Sequence, residues 1–84
     1  MATVVITPTA AREIESLPLT IRNRVVGILG RLANFPEVSG AKPLRGALAG
    51  QYRIRTGDYR VQFRATGENV IIEKVGHRDG FYEK

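Results

Sequence analysis

The stretch Gln51–Arg64, QYRIRTGDYRVQFR, decides the fold, because two alternating segments flank a Thr-Gly-Asp turn. Side chains on a β-strand point alternately to opposite faces. Tyr52 and Ile54 therefore share one face of the first segment, and Arg53 and Arg55 share the other. The second segment divides in the same way into an apolar and a polar set: Tyr59, Val61, Phe63 and Ala65, against Arg60, Gln62 and Arg64. The stretch predicts a β-hairpin with one apolar face and one arginine face.

The residues before the hairpin predict a short strand and a first helix. Thr3–Ile6 is β-branched and typical of a strand. Thr7-Pro8 favours a helix start, with Thr7 as N-cap and Pro8 at the first helical position. Leu17-Pro18 ends that helix, because proline moves the preceding residue out of the α region.

A second helix is predicted from about Pro18 to Ala33. Its apolar positions recur at spacings of 4, 3, 4 and 3, which marks a core-facing stripe: Ile21, Val25, Ile28, Leu32 and Phe35. Asn34–Gly50 contains Gly, Pro and Ser without a clear period and is predicted to be a loop. Val70–Val75 is predicted to be the last strand, followed by a polar tail, 76–84.

These elements predict one α+β domain spanning residues 1–84, with the order β-α-α-β-β-β. The short break between the helices implies an antiparallel helical hairpin. Tight turns make the last three strands an antiparallel meander, and we expect the first strand to join this small sheet at an edge. Two helices packed on the apolar face would leave the arginine face open.

Composition restricts the class of protein. The chain has no cysteine, which excludes disulfides and cysteine-ligated metal sites. It lacks an apolar run of the roughly 20 residues that span a bilayer, and its first residues lack the pattern of a signal peptide. We therefore expect a cytoplasmic protein without a membrane partner. The net charge of +5 favours nucleic acid or an acidic protein as partner, although many small basic proteins are simply soluble cations.

Few residues could carry out chemistry. His77 is the only histidine, which excludes a ribonuclease built on a histidine pair and a histidine metal cluster. The sequence lacks a nucleophile motif, a P-loop and a dinucleotide fingerprint, so we expect no metal and no cofactor. Asp58 lies in the predicted turn and is better explained as a turn former than as a base.

The remaining candidates are arginines and a tyrosine. Arg53, Arg55, Arg60 and Arg64 share the predicted open face, and the tail adds Arg78 and Tyr82. Guanidinium groups could stabilise the phosphorane formed when an RNA 2′-hydroxyl attacks its own phosphate. A tyrosine has a pKa of about 10 in water, and nearby cations lower it, so Tyr82 could act as the base. The alternative interpretation is a solvated basic face beside an aromatic residue that packs.

Five motifs, in order and spacing, resemble the RelE/ParE toxins of bacteria and archaea over nearly the whole chain. They are Leu17-Pro18, the 42–46 stretch KPLRG, the 52–55 strand YRIR, the 57–60 turn GDYR, and the 75–78 sequence VGHR followed by Tyr82. Each is weak alone, and their common order carries the resemblance. The resemblance implies the same β-α-α-β-β-β fold.

The RelE branch implies cleavage of translated messenger RNA in the ribosomal A site. By this resemblance Arg60 would stabilise the phosphate, Arg78 the transition state or leaving group, and Tyr82 would be the base. Arg53 and Arg55 would stand where relatives often have lysines. The remaining candidates would contact RNA or the ribosome: Arg45, Lys42, Arg64 and His77.

Arginine at 53 and 55 leaves the proton donor open, because a guanidinium stays protonated where an ammonium can release a proton. His77 could take that role. The resemblance also implies an acidic RelB-like antitoxin, ribosome and mRNA as partners, and operator DNA only through the antitoxin complex. Two other functions stay open: a ParE-like protein that inhibits DNA gyrase by binding, and a non-toxic basic binding module.

Overall fold

A computed structural model describes residues 2–79. These residues form two α-helices and five strands, numbered in chain order: β1 (Thr3–Ile6), α1 (Pro8–Glu15), α2 (Leu19–Leu32), β2 (Lys42–Pro43), β3 (Gln51–Thr56), β4 (Tyr59–Thr66) and β5 (Asn69–His77). The strands form one sheet in the order β1-β5-β4-β3-β2. β1 is parallel to β5 at one edge, and the other pairs are antiparallel, so the predicted α+β class and meander are confirmed.

The predicted helix signals act as expected. The Thr7 hydroxyl accepts a hydrogen bond from the Ala10 N–H at 3.1 Å and caps α1, and the hydroxyl also donates to the Ile72 carbonyl of β5 at 3.0 Å. The α1 helix thus starts fixed to the sheet. Ala10 and Ile14 of α1, and Val25, Ile28 and Leu32 of α2, are buried.

The core lies between the helices and one face of the sheet. Ile54, Val61 and Phe63 of the predicted apolar face are buried, and Val70, Ile72 and Val75 of β5 are buried with them. Phe63 is at the centre, stacked on Tyr52 and edge-on to Phe35, with ring centroids 5.5 Å away in both cases. The opposite face carries the arginines of β3 and β4. In residues 2–79, neither helix is long and apolar enough to cross a membrane.

Two sequence predictions were wrong in extent. The 34–50 segment is not entirely loop: Lys42–Pro43 pairs with Tyr52 and Arg53 as a fifth strand, and Gly46–Leu48 forms a 3₁₀ turn. A two-residue strand has no periodicity to detect, because its pairing depends only on the neighbouring β3 edge. The last strand also continues to His77, since the ladder with β4 extends past the predicted end at Val75.

Candidate nucleic-acid interface

The arginine face is built by the register of four strands, β2 to β5. Three rows of paired residues cross the open side of the sheet: Lys42–Arg53–Gln62–Lys74, Arg55–Arg60–Gly76 and Gln51–Arg64–Ile71. The turn between β3 and β4 permits this register because Gly57 takes a φ of +60°, which suits a two-residue hairpin loop. The predicted alternation is therefore confirmed, and the sheet holds these cations on rigid backbone.

Arg55 and Arg60 occupy directly opposite positions on neighbouring strands. Like charges at such positions repel and destabilise a strand pair. Arg55 is exposed, whereas Arg60 is half-buried. An anion lying over this pair would relieve the repulsion.

Arg53 occupies the middle row beside Gln62. Its Nε is buried and has no hydrogen-bond partner within residues 2–79. Gln62 is 7% exposed, and its amide donates to the Gln51 side-chain oxygen, so it serves as a fixed spacer. The hydrogen-bonded amides of Gln62 and Gln51 thus order the middle of the face, and the cations lie around them.

Arg64 differs from Arg53 and Arg55, the arginines of β3. Its Nε lies 2.9 Å from Glu73 Oε2 in a partly exposed ion pair. The carboxylate neutralises this guanidinium locally, so Arg64 adds less positive potential than Arg53 or Arg55.

Arg78 lies at the end of the sheet that carries the β3–β4 turn. It follows β5 by one residue, and its N–H donates to the Asp58 carbonyl in the β3–β4 turn at 2.7 Å. Its Nε is 3.9 Å from Asp58 Oδ1 and 3.7 Å from Asp79 Oδ1. Asp58 therefore forms the turn and also borders Arg78. The structure brings Arg78 to the end of the sheet that carries Arg55 and Arg60.

The other predicted contacts are more dispersed. Lys42 is exposed on the edge strand β2, opposite Arg53. Arg45 is exposed just before the 3₁₀ turn, near the Gln51 end of β3 and away from the β3–β4 turn. Tyr82, the predicted base, lies outside the described residues.

His77 is not placed among the arginines. It pairs with Tyr59 in the register, so it belongs to the face that the helices cover. The two rings meet edge-on with centroids 5.1 Å apart, and His77 Nδ1 accepts a hydrogen bond from the Asp79 N–H at 3.1 Å. These contacts hold the His77 ring at the end of β5, where its side chain is 40% exposed.

Lys74 is a cation of this face that sequence alternation missed. Simple alternation from Val70 and Ile72 would place it on the core side. A β-bulge, however, leaves Glu73 as an extra residue between the pairs Phe63–Ile72 and Gln62–Lys74. The sequence gives no clear signal for the bulge, because Ile71 and Ile72 are both apolar and only the structure shows that Val70, Ile72 and Val75 are the buried residues.

The face can bind an extended anion. Residues 2–79 enclose no pocket, so the cations form an open surface, unlike the concave sites of small-molecule enzymes. No group of three potential metal-ligating His, Asp or Glu side chains occurs in this part of the chain. The chemistry available on the described surface is hydrogen bonding and charge stabilisation by guanidinium and ammonium groups.

Comparisons with known proteins agree with this architecture. Residues 4–80 match the family model of the ParE toxin of the parDE type II toxin–antitoxin system. The chain is 40% identical to toxin RelG of Mycobacterium tuberculosis, covering 98% of this chain and 97% of the relative. It is 46% identical to toxin RelE of the same organism, covering 86% and 74%.

Solved structures show the same fold. The RelBE2 toxin–antitoxin complex of Mycobacterium tuberculosis contains a chain with a TM-score of 0.79 and 39% identity, covering 92% of this chain and 91% of that one. The isolated RelE toxin of E. coli has a TM-score of 0.77 at 22% identity, covering 92% and 84%, which supports the fold alone.

Proposed function

The chain belongs to the RelE/ParE superfamily of type II toxin–antitoxin toxins, and from this premise we propose that it is a ribosome-dependent mRNA endonuclease. It would cut translated mRNA in the A site by attack of an RNA 2′-hydroxyl on the adjacent phosphate, and so inhibit translation. The observation that carries this proposal is the opposed pair Arg55–Arg60 with Arg78 at the same end of the sheet.

These residues suit the charge that develops during strand cleavage. The phosphorane is more negative than the starting phosphodiester, and preorganised cations stabilise that added charge. Arg60 and Arg55 would contact the phosphate, and Arg78 would stabilise the leaving group or transition state. Arg53 would hold the neighbouring backbone, and Tyr82 would take the 2′-hydroxyl proton. Lys42 and Arg45 would contact RNA or the ribosome, and Arg64 would line the same surface without adding to its net charge while Glu73 holds it.

A cognate antitoxin is part of this proposal. Two similar structures are toxin–antitoxin complexes: RelBE2 from Mycobacterium tuberculosis and RelB–RelE from Methanococcus jannaschii. An acidic RelB-like partner would complement the net charge of +5 and associate rapidly by electrostatic steering. We expect it to cover or distort the arginine face. Binding to operator DNA would then occur only through the antitoxin complex.

A second function has one observation in its favour. The family model that matches residues 4–80 is that of ParE toxins, and a ParE-like protein would inhibit DNA gyrase without catalysis. Fold alone does not choose between these functions. The identity to RelG and RelE toxins and the clustered guanidinium groups favour the endonuclease.

One experiment separates the two. The toxin is induced without its antitoxin, and the 5′ ends of cellular transcripts are mapped. New 5′-hydroxyl ends inside codons, lost in Arg78→Ala and in Tyr82→Phe, are expected for the endonuclease. Intact transcripts with double-strand DNA breaks would instead establish gyrase as target, and the absence of both would leave a binding module.

A further inference from the structure

We propose that Lys74 is the proton donor of this site, and that its ammonium group protonates the 5′-oxygen that leaves when the RNA strand is cut. This inference rests on the proposed endonuclease function. It assigns a catalytic role to a residue that the alternation of the sequence would place on the wrong side of the sheet.

The site needs a donor that its arginines do not provide. An RNA 5′-oxygen leaves as an alkoxide unless it receives a proton, and a guanidinium stabilises negative charge but does not release its proton. Arg53, Arg55 and Arg60 are all of this kind. His77 pairs with Tyr59 on the helix-covered face. Neither the arginines nor the histidine meets the requirement.

Lys74 is placed next to the phosphate position. It lies opposite Gln62, and Gly76, two residues further along β5, lies opposite Arg60. Lys74 is therefore a diagonal neighbour of Arg60, and diagonal neighbours in a sheet are about 7–8 Å apart, within reach of long side chains. Gly76 has no side chain, so a phosphate over Arg60 could approach the sheet closely beside Lys74.

The packing of the core fixes this placement. Ile72 and Val75 are 0% and 2% exposed, and Glu73 and Lys74 are the two residues between them. Because Ile72 and Val75 are both buried on the helix side, the bulge between them must present Lys74 on the opposite side of the sheet. A register without the bulge would move the Lys74 ammonium toward the apolar core, where an unpaired charge is strongly disfavoured.

A side chain from α1 supports the bulge. β1 ends at Ile6, opposite Ile72, so within residues 2–79 β5 has no strand neighbour on that side beyond this point. The Val75 N–H donates instead to Glu13 Oε1 at 2.8 Å. This bond satisfies the backbone just after the bulge and ties the position of Lys74 to the helix layer.

The other lysine of residues 2–79 is less well placed. Lys42 lies on β2, and the strands β3 and β4 separate it from β5. Strands in a sheet are about 4.8 Å apart, so Lys42 is roughly 14 Å from Lys74 across the face. It provides a matched control of the same residue type on the same face.

The chemical step balances with Lys74 as the acid. The base removes the 2′-hydroxyl proton, the 2′-oxygen bonds to phosphorus, and the bond from phosphorus to the 5′-oxygen breaks. The Lys74 Nζ transfers one proton to that oxygen. The products are a 2′,3′-cyclic phosphate and a 5′-hydroxyl, and the neutral amine regains a proton from solvent.

The test uses single-turnover cleavage of mRNA on programmed ribosomes, with Lys74→Arg, Lys74→Met and Lys42→Arg. General acids contribute about 100-fold or more to rate, so both Lys74 variants should cut ordinary mRNA about 100-fold more slowly. A second mRNA carries sulfur in place of the 5′-bridging oxygen at the mapped cut. Its thiolate leaves without a proton, so Lys74→Arg should recover to within about threefold of wild type. Lys42→Arg should change the cleavage rates of the oxygen and sulfur substrates by the same factor.

The outcomes separate this inference from the function on which it rests. Cleavage of ordinary mRNA by Lys74→Arg at the wild-type rate would overturn the inference, because charge alone would then suffice. An equal loss on oxygen and sulfur substrates would overturn it too, since the defect would lie in binding or folding. If the wild type cuts and neither Lys74 variant is slower, only the inference fails. If the wild type does not cut, both fail.

Discussion

Arg55→Gln provides the sharpest test of the arginine face as the RNA-binding surface. Arg55 is exposed, lies opposite Arg60, and forms no ion pair within residues 2–79. Its substitution removes one cation from the open surface and leaves the buried face of β3 unchanged. We expect weaker RNA binding with a smaller dependence on salt.

The expected size follows from counterion release. Each phosphate contact on single-stranded RNA contributes about 0.7 to the slope of log affinity against log salt. Losing the Arg55 contact should therefore lower the slope by about 0.7. We take the electrostatic contribution to affinity as zero at 1 M salt. Arg55→Gln should then bind RNA about eightfold more weakly than wild type at 50 mM salt and about threefold more weakly at 200 mM.

The assay is fluorescence anisotropy with a short 2′-O-methyl RNA, which binds but lacks the attacking hydroxyl. The matched control is the double variant Arg64→Gln/Glu73→Gln, which removes two charges that form an ion pair 2.9 Å apart. This variant keeps the net charge of the face, so its slope should equal that of wild type. Glu73→Gln alone releases Arg64 and should raise the slope by about 0.7.

Two results would contradict this prediction. An unchanged slope for Arg55→Gln would mean that RNA does not contact the arginine face at this position. A slope as low for the double variant as for Arg55→Gln would mean that the Arg64–Glu73 pair does not neutralise itself.

The fold yields further predictions, each checked by urea unfolding. Phe63→Ala removes the central buried ring and should cost about 3–5 kcal/mol, whereas Phe63→Leu should cost much less; equal losses would argue against a packing role. Thr7→Ala removes the hydroxyl that accepts from the Ala10 N–H and should lower the free energy of unfolding by about 1–2 kcal/mol. Thr7→Ser keeps a hydroxyl and should be close to wild type; if it is as unstable as Thr7→Ala, the hydroxyl is not the cause. Glu13→Ala leaves the Val75 N–H unsatisfied and should cost about 1–3 kcal/mol, with Glu13→Gln close to wild type because its amide oxygen still accepts.

The sequence determined the hairpin and its two faces. Alternation in Gln51–Arg64 placed Ile54, Val61 and Phe63 in the core, and the arginines opposite them, because each β-strand residue reverses direction. The cap at Thr7 and the apolar stripe of the second helix were likewise local patterns with a physical reason. These features needed no knowledge of distant contacts.

The tertiary structure decided what depends on pairing between distant segments. The strand at Lys42–Pro43 exists only because the β3 edge lies beside it. The bulge at Glu73 exists because buried Ile72 and Val75 must both face the helices, and it turns Lys74 toward the arginines while His77 stays on the helix-covered side. The secondary-structure propensity of a short segment does not determine which residues of distant strands pair. Charge and alternation therefore predicted the arginine face, whereas only the assembled sheet determined that a lysine joins it.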